Sequence, residues 1–178
     1  MKKHLALIRG INVGKAKRIA MAELRALMEE LGYLDVQTLL NSGNVVFGIP
    51  AKLKGDHAAR IQRGISEQLG VSARVLVISG DVLAKVVAEN PLADVSDPSR
   101  YLVSFVHDAA DLAKLGPLLQ QSWEPELLAT GSHAAYLWCA GGILDSKMAE
   151  AVGRLLGDGA TARNWTTVNK LHALVTGA

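Results

Sequence analysis

A short basic connection near the start of the chain contains residues that could bind an anion. It runs from Ile8 to Arg18 and contains two glycines, one asparagine and four cations, with no acidic residue (Ile-Arg-Gly-Ile-Asn-Val-Gly-Lys-Ala-Lys-Arg). Backbone N–H groups in such a loop, together with Arg9, Asn12 and Lys15, could hold a phosphate or a carboxylate. The alternative is a solvated turn whose glycines serve only backbone geometry. An ATPase loop is disfavoured, because that motif needs Ser or Thr after the lysine and Ala16 stands there.

Three further polar stretches fall at predicted turns and helix starts. Ser42 and Asn44 flank a glycine in a tight turn. Ser146 and Lys147 follow Gly141-Gly142 at a helix start, where N–H groups favour an anion, although Asp145 or Ser146 could instead simply cap the helix. A Ser-Lys catalytic pair is disfavoured there, since adjacent residues on a helix do not face each other.

The third stretch is Thr161-Ala162-Arg163-Asn164-Trp165-Thr166-Thr167. Arg163 could clamp an anion through two hydrogen bonds, and Asn164 could donate and accept at the entry to the last helix. Trp165 is interpreted as a packing anchor, with stacking on a ligand ring as the alternative, and Thr166 is a candidate N-cap.

These polar side chains are predicted to line one cleft between two halves of the chain and to bind a small anionic or phosphate-bearing ligand. Turns and junctions are where scaffolds usually carry binding residues. The candidate set is Arg9, Asn12, Lys15, Ser42, Asn44, Ser146, Lys147, Arg163 and Asn164. No cofactor is predicted, and the five histidines lack metal-ligand spacing.

Two other functions remain open from the sequence. An enzyme of transferase or hydrolase type could use Lys147 or His133 with Arg163 as an oxyanion clamp, and it would need a general base in the same pocket. An RNA-contacting protein could use the basic N-terminal face. The composition argues against nucleic acid, because the chain is only 4% aromatic and Phe47 alone lies on the predicted third strand.

The composition is that of an ordinary globular protein. The chain has 178 residues, of which 49% are apolar and 20% charged. Its net charge of +2 divides into +5 for residues 1–89 and −3 for residues 90–178. The single cysteine, Cys139, lies among apolar neighbours and is predicted to be a buried thiol. With no apolar run long enough to span a membrane and no signal-peptide pattern, a cytoplasmic protein without a membrane partner is expected.

Hydrophobic periodicity over residues 1–80 predicts the order β-α-β-β-α-β. The strands are expected at 4–8, 35–40, 45–47 and 73–78. Leu24 and Leu27 mark the first helix, and Ile61 and Ile65 the second. Gly32 and Gly70 are placed as left-handed helix ends. Asp81 is predicted to cap a short helix, which residues 90–99 follow as a linker.

The same order recurs in the second half. Strands are predicted at 101–106, 126–130 and 134–139, with a brief extended piece at 161–163. One helical stripe is predicted from Leu112, Leu115, Leu118 and Leu119, another from Met148, Val152 and Leu155, and a last helix carries Val168 and Leu171. The prediction is an α+β protein of two tandem ferredoxin-like units with antiparallel sheets, at 1–80 and 100–178, joined by a helix and linker at 81–99.

The polar stretches also resemble the signature of a known family. Four segments are similar to motifs of the mainly bacterial family called domain of unknown function 1697. They are Arg9-Gly-Ile-Asn-Val-Gly14, Asn41-Ser-Gly-Asn-Val-Val-Phe47, Ser146-Lys147 and Thr161-Ala-Arg-Asn-Trp165. The resemblance runs essentially end to end. It implies a tandem ferredoxin-like architecture and no assigned activity. The family commonly has a second glycine where this chain has Lys15, which implies a stiffer and more basic loop here.

Overall fold

The structure is a computed structural model that describes residues 1–92 and 95–178. Over these ranges the protein is α+β, with two four-stranded antiparallel sheets and six α-helices. The chain divides into two compact units, residues 1–81 with 173–178 and residues 82–172. The linker predicted at 90–99 includes residues 93 and 94, which lie outside the described ranges. None of the described helices has the length and apolar character needed to cross a membrane.

The first unit contains the predicted β-α-β-β-α-β order. Its elements are β1 (Lys3–Arg9), α1 (Met21–Glu30), β2 (Leu34–Leu39), β3 (Asn44–Gly48), α2 (His57–Leu69) and β4 (Arg74–Ser79). The sheet order is β2-β3-β1-β4, and all neighbouring strands are antiparallel. The all-apolar run of β1 therefore forms a central strand, as its composition predicts.

One face of this sheet carries the core of the first unit. Leu24 and Leu27 of α1 and Ile61 and Ile65 of α2 pack with Ala6, Ile8 and other residues of that face. The glycines predicted to end the helices, Gly32 and Gly70, have φ of 95° and 67°, which L side chains rarely adopt. Leu5 and Leu7, on the other face of β1, are also fully buried.

A third helix, α3 (Gly80–Ala88), follows β4 directly. The prediction that Asp81 caps it is wrong, because the helix begins one residue earlier and Asp81 lies within its first turn. The Asp81 carboxylate instead accepts a hydrogen bond from Lys2 Nζ at 2.8 Å. The spacing predicts Val82, Val86 and Leu83 on the inward side; Leu83 and Val86 are buried, whereas Val82 is only partly buried.

The second unit repeats the strand arrangement. It contains β5 (Tyr101–Val106), α4 (Gly116–Leu119), β6 (Leu127–Thr130), β7 (Ala134–Trp138), α5 (Lys147–Leu156), β8 (Ala160–Asn164) and the start of α6 (Trp165–Thr176). The sheet order is β6-β7-β5-β8, again antiparallel. The extended piece predicted at 161–163 is confirmed as part of β8, which pairs with β5 from Leu102↔Asn164 to Val106↔Ala160.

Two helical predictions in this unit need correction. The stripe from Leu112 to Leu119 forms a 3₁₀ helix over Ala109–Leu115 before the short α4, and Leu119 is 42% exposed. Pro117 contributes to the break between the 3₁₀ helix and α4, because it has no N–H to donate to a continuing α-helix. In α5 the inward residue near the end is Leu156, whereas Leu155 is 42% exposed.

Candidate functional site

The candidate site lies at one end of the first sheet, where β1 and β2 end and β3 and β4 begin. The loop at residues 10–18 leaves β1 there, and the turn at residues 40–43 joins β2 to β3. The last register pair of β1 and β4 is Arg9↔Arg74. We define the basic end by its cations, all of which are exposed: Arg9, Lys15, Lys17, Arg18 and Arg74.

The loop of the basic end is a small hairpin. The Asn12 N–H donates to the Lys17 carbonyl at 2.9 Å, and Val13 forms an isolated bridge with Ala16. Residues 13–16 form the tip, and all four are exposed. The loop therefore has a defined backbone in which Lys15 is held at the tip.

The side chain of Asn12 fixes this hairpin to the rest of the unit. Its Nδ2 donates to the carbonyls of Ile19 at 2.9 Å and Asn41 at 2.7 Å, and its Oδ1 accepts from the Ile19 N–H at 2.8 Å. Both amide hydrogens are thus engaged with the backbone. Asn12 holds the loop against the turn at residues 40–43, which is a different role from the ligand contact that its position suggested.

The turn at residues 40–43 lies directly on the end of β1. The Ile8 N–H donates to the Gly43 carbonyl at 2.8 Å. Gly43 has φ of 91°, and a Cβ at this position would lie 2.9 Å from both Cβ and O of Ile8. Asn44 is fully buried, and its Nδ2 donates to the Leu39 carbonyl at 2.9 Å and to Ser42 Oγ at 3.0 Å. Asn44 therefore stabilises the turn, and Ser42 is exposed beside it.

Unfavourable backbone conformations are concentrated at the basic end. Among the described residues other than glycine, positive φ occurs at Asn12 (53°), Lys17 (54°) and Leu40 (58°) here, and at Asp35 (50°) elsewhere. Such conformations cost about 1–3 kcal/mol each and cluster at functional sites. Leu40 is the least expected of the three, since a leucine gains nothing from a left-handed backbone.

The basic end brings like charges together. Arg9 and Arg74 are Cα partners on adjacent strands, so their side chains leave the same face of the sheet. Within the described ranges, the side chains of Lys15, Lys17 and Arg18 form no salt bridge. The result is a local positive field suited to an anion.

The other two early cations do not belong to this field. Lys3 pairs with Gly48 at the start of β1, a strand length of about 20 Å from the basic end. Its Nζ donates to the Leu174 carbonyl at 2.6 Å, and Lys2 pairs with Asp81. The six cations that precede Ile19 in the sequence therefore divide between the two ends of the sheet.

Ser146 and Lys147 of the second unit have ordinary helix-start roles. Ser146 is buried and caps α5, because its Oγ accepts from the Ala149 N–H at 3.0 Å. The capping alternative is thus confirmed for Ser146. The Lys147 side chain is 86% exposed and pairs with Glu150 at 3.3 Å.

Arg163 and Asn164 lie at the junction of β8 and α6. Arg163 is partly buried, its Nη1 donates to the Ala162 carbonyl at 2.8 Å, and burial lowers the pKa of its guanidinium to about 10. Asn164 Oδ1 accepts from the Thr167 N–H at 2.9 Å. Asn164 therefore caps α6, and the prediction that Thr166 is the cap is wrong. Trp165 packs against Tyr101 with ring centroids 5.3 Å apart.

His133 lies in the turn between β6 and β7, where its Nδ1 is 2.7 Å from Ser132 Oγ. Its carbonyl accepts from the Val106 N–H, whereas Arg163 pairs with Val103 on the other edge of β5. Three residues along a strand correspond to about 10 Å, so the structure does not bring His133 and Arg163 together at the backbone level. Cys139 is fully buried, and burial raises the pKa of its thiol. The prediction of a buried thiol is confirmed.

Several residues of the basic end were not in the predicted set. Arg74 begins β4, and only the pairing of β1 with β4 places it opposite Arg9. The loop and turn sequences could have added four more residues to the predicted set, namely Lys17, Arg18, Val13 and Leu40. Nothing in the sequence shows, however, that these two segments meet. Among the described residues, no group of three His, Cys, Asp or Glu side chains could hold a metal ion.

The predicted residues thus belong to two units, with Arg9, Asn12, Lys15, Ser42 and Asn44 in the first and Ser146, Lys147, Arg163 and Asn164 in the second. Within the first unit, the hydrogen bond from Asn12 to Asn41 brings the loop and the turn together. The prediction of one shared cleft stays a prediction.

Comparison with known proteins gives a family and a fold. A conserved bacterial protein from Streptococcus pneumoniae has a similar structure, with a TM-score of 0.79 and 20% sequence identity over 98% of each chain. No protein of curated function matches the sequence. Residues 1–136 match the model of the family described as Protein of unknown function (DUF1697). Because this match covers well over half of the chain, the protein belongs to that family.

Proposed function

We propose that this protein is a non-catalytic binding protein for a small anion or a phosphate-bearing group, and that the basic end of the first unit receives it. The observation that carries the proposal is the opposition of Arg9 and Arg74 at the last register pair of β1 and β4. An anion bound beside these two guanidinium groups would accept a charge-assisted hydrogen bond from each.

The loop beside these arginines supports the same proposal. Its hairpin is already fixed by Asn12, so a ligand that contacts Lys15 or the tip would not have to order a flexible segment. Preorganisation of this kind raises affinity by reducing the entropy lost on binding. The left-handed residues of the loop and turn support it as well, since such conformations are retained where function requires them.

An enzyme is less well supported than a binding protein. Lys147 is exposed and paired with Glu150, and Ser146 is occupied as a cap. His133 and Arg163 lie on opposite sides of β5. Arg163 is the one candidate of the second unit whose partly buried guanidinium suits an anion.

We further propose that each half of the chain is a ferredoxin-like unit. The strand orders β2-β3-β1-β4 and β6-β7-β5-β8, each with the β-α-β-β-α-β sequence, support two tandem ferredoxin-like units. The cytoplasmic location expected from the sequence is kept as part of the proposal, and cell fractionation would test it.

A thermal-shift screen tests the binding proposal. The wild-type protein and the variants Arg9→Gln, Arg74→Gln and Arg163→Gln are heated with inorganic phosphate, nucleotides, sugar phosphates or carboxylates. A ligand at 100 times its Kd adds about 2.7 kcal/mol, which corresponds to roughly 5–10 °C for a chain of this size. We expect Arg9→Gln and Arg74→Gln to abolish the shift.

The matched control is Arg25→Gln, which removes an exposed arginine from α1 of the same unit. It should keep the full shift. Loss of the shift in Arg163→Gln alone would move the site to the second unit. A wild-type protein that responds to none of these anions, even at low salt, would refute the proposal.

A further inference from the structure

Two exposed aliphatic side chains stand among the cations of the basic end. Val13 is 71% exposed at the loop tip, and Leu40 is 50% exposed in the turn. Val13 follows Asn12 in the sequence and Leu40 precedes Asn41, and a hydrogen bond of 2.7 Å joins Asn12 Nδ2 to the Asn41 carbonyl. The two side chains are therefore presented by segments that are tied to each other, and we refer to Val13 and Leu40 together as the apolar pair.

The structure maintains this apolar pair at a cost. Leu40 has φ of 58°, where asparagine or glycine would be more stable. Val13 belongs to a four-residue tip that is exposed throughout. Neither side chain contributes to the core of the first unit. An exposed leucine in a strained conformation is more readily explained by a partner than by folding.

The chemistry of this surface fits an anionic membrane better than RNA. No Phe, Tyr or Trp occurs in the segments 9–20, 37–44 and 70–76, and single-stranded nucleic acid is usually held by stacking on such rings. Cations attract the anionic headgroups, whereas small aliphatic side chains can enter the boundary between headgroups and acyl chains. A bilayer offers both kinds of contact at one surface.

We propose that the phosphate-bearing partner of the basic end is the headgroup layer of an anionic membrane, on which the protein docks with Val13 and Leu40 entering the layer. This inference rests on the proposed function and names the source of the anion. Docking of this kind is peripheral. It is compatible with the lack of a membrane-spanning helix among the described residues. It departs from the expectation, drawn from the sequence, that the protein has no membrane partner.

Vesicle co-sedimentation tests the inference. The protein is mixed with vesicles of phosphatidylcholine alone, or of phosphatidylcholine with phosphatidylserine as the minor lipid, at low and high salt. We expect binding only to the anionic vesicles, and weaker binding at high salt. Each cation removed from the basic end, for example in Lys15→Ala or Lys17→Ala, should weaken the binding about fivefold. The double variant Val13→Ser/Leu40→Ser should weaken it by about tenfold or more.

Matched controls separate this surface from general charge and hydrophobicity. Lys52→Ala/Lys54→Ala removes two lysines from the 50–55 loop, at the opposite end of the same sheet, and Leu155→Ser removes a comparably exposed leucine from α5. Both should bind vesicles as the wild type does. Circular dichroism and thermal unfolding establish that each variant is folded.

The vesicle assay and the thermal-shift assay together distinguish membrane docking from binding of a small anion. Val13→Ser/Leu40→Ser should keep the thermal shift with inorganic phosphate, because it leaves all five cations in place. If the wild-type protein responds to inorganic phosphate but does not sediment with anionic vesicles, or sediments equally with neutral ones, the membrane inference is wrong and the proposed function stands. Binding to short RNA without binding to vesicles would also overturn it. Failure of both assays would reject both proposals.

Discussion

Replacing Gly43 by alanine tests the close contact between the turn and β1 on which the basic end is built. At φ of 91° any L residue has an unfavourable backbone, at a cost of about 1–2 kcal/mol. The new Cβ would also lie 2.9 Å from Cβ and O of Ile8 and 3.1 Å from Cδ1 of Ile11. Two of these neighbours cannot rotate away, and overpacking of this kind costs about 1–3 kcal/mol. The free energy of unfolding should therefore fall by about 2–5 kcal/mol.

Gly55→Ala is the matched control for the backbone term. Gly55 has φ of 105°, but nothing lies within 4 Å of its ideal Cβ. The free energy of unfolding of Gly55→Ala should therefore fall by only about 1–2 kcal/mol, the cost of the left-handed backbone alone. The difference between the two variants isolates the contact with Ile8 and Ile11.

Urea unfolding of the wild type and both variants measures these losses, with fluorescence and circular dichroism followed together. We expect Gly43→Ala to be the less stable variant by about 1–3 kcal/mol. Equal losses in the two variants would show that the turn does not lie against β1 as described. The turn would then not be held beside the loop as the basic end requires, since its position relative to the loop depends on this contact.

Three further predictions concern hydrogen bonds and charge. Asn12→Ala should lower the free energy of unfolding by about 1–3 kcal/mol, because the variant leaves the carbonyls of Ile19 and Asn41 and the Ile19 N–H without their partner. Thermal unfolding would measure this loss, and an unchanged midpoint would contradict the prediction. Ser146→Ala should cost about 1 kcal/mol through loss of the α5 cap, whereas Ser146→Asp should largely restore it. Burial, and then the charges of Arg60 and His4, lower the pKa of His57 below its unfolded value. Because the unfolded chain binds more protons than the folded chain in this pH range, the free energy of unfolding should fall as the pH drops through about 6.5 and level off below the folded pKa. In urea titrations at several pH values, His57→Gln should reduce the slope of the free energy of unfolding against pH.

Much of the fold could be predicted because its hydrophobic periods are regular. Strand β1 contains an unbroken apolar run from Leu5 to Ile8, and the helices of the first unit carry apolar residues at spacings of three and four. The helix at Ala109–Leu119 could not be read in the same way. Its leucines have a helical spacing, but the chain forms a 3₁₀ helix before the short α4. Periodicity alone does not distinguish these two helix types over one or two turns.

The candidate site was less predictable, because a sequence shows which groups can form hydrogen bonds but not which partners they have. Asn12, Asn44, Ser146 and Asn164 all suggested ligand contacts, and all four bond to the backbone around them. Short polar side chains do this commonly at turns and helix starts. The opposition of Arg9 and Arg74 depends instead on the pairing of two strands that are distant in the sequence, which no local pattern reveals.

The last residues of the described chain have a consequence for the order of biosynthesis. Residues 173–178 pack with the first unit, where the Leu174 carbonyl accepts from Lys3 Nζ. During translation, residues 1–81 emerge from the ribosome before the segment that completes their unit, and the whole of residues 82–172 is made in between. The first unit therefore stays incomplete until the whole of the second has been synthesised. A chain interrupted before residue 173 would contain a first unit without this segment, and incomplete units of this kind expose apolar surface that promotes aggregation.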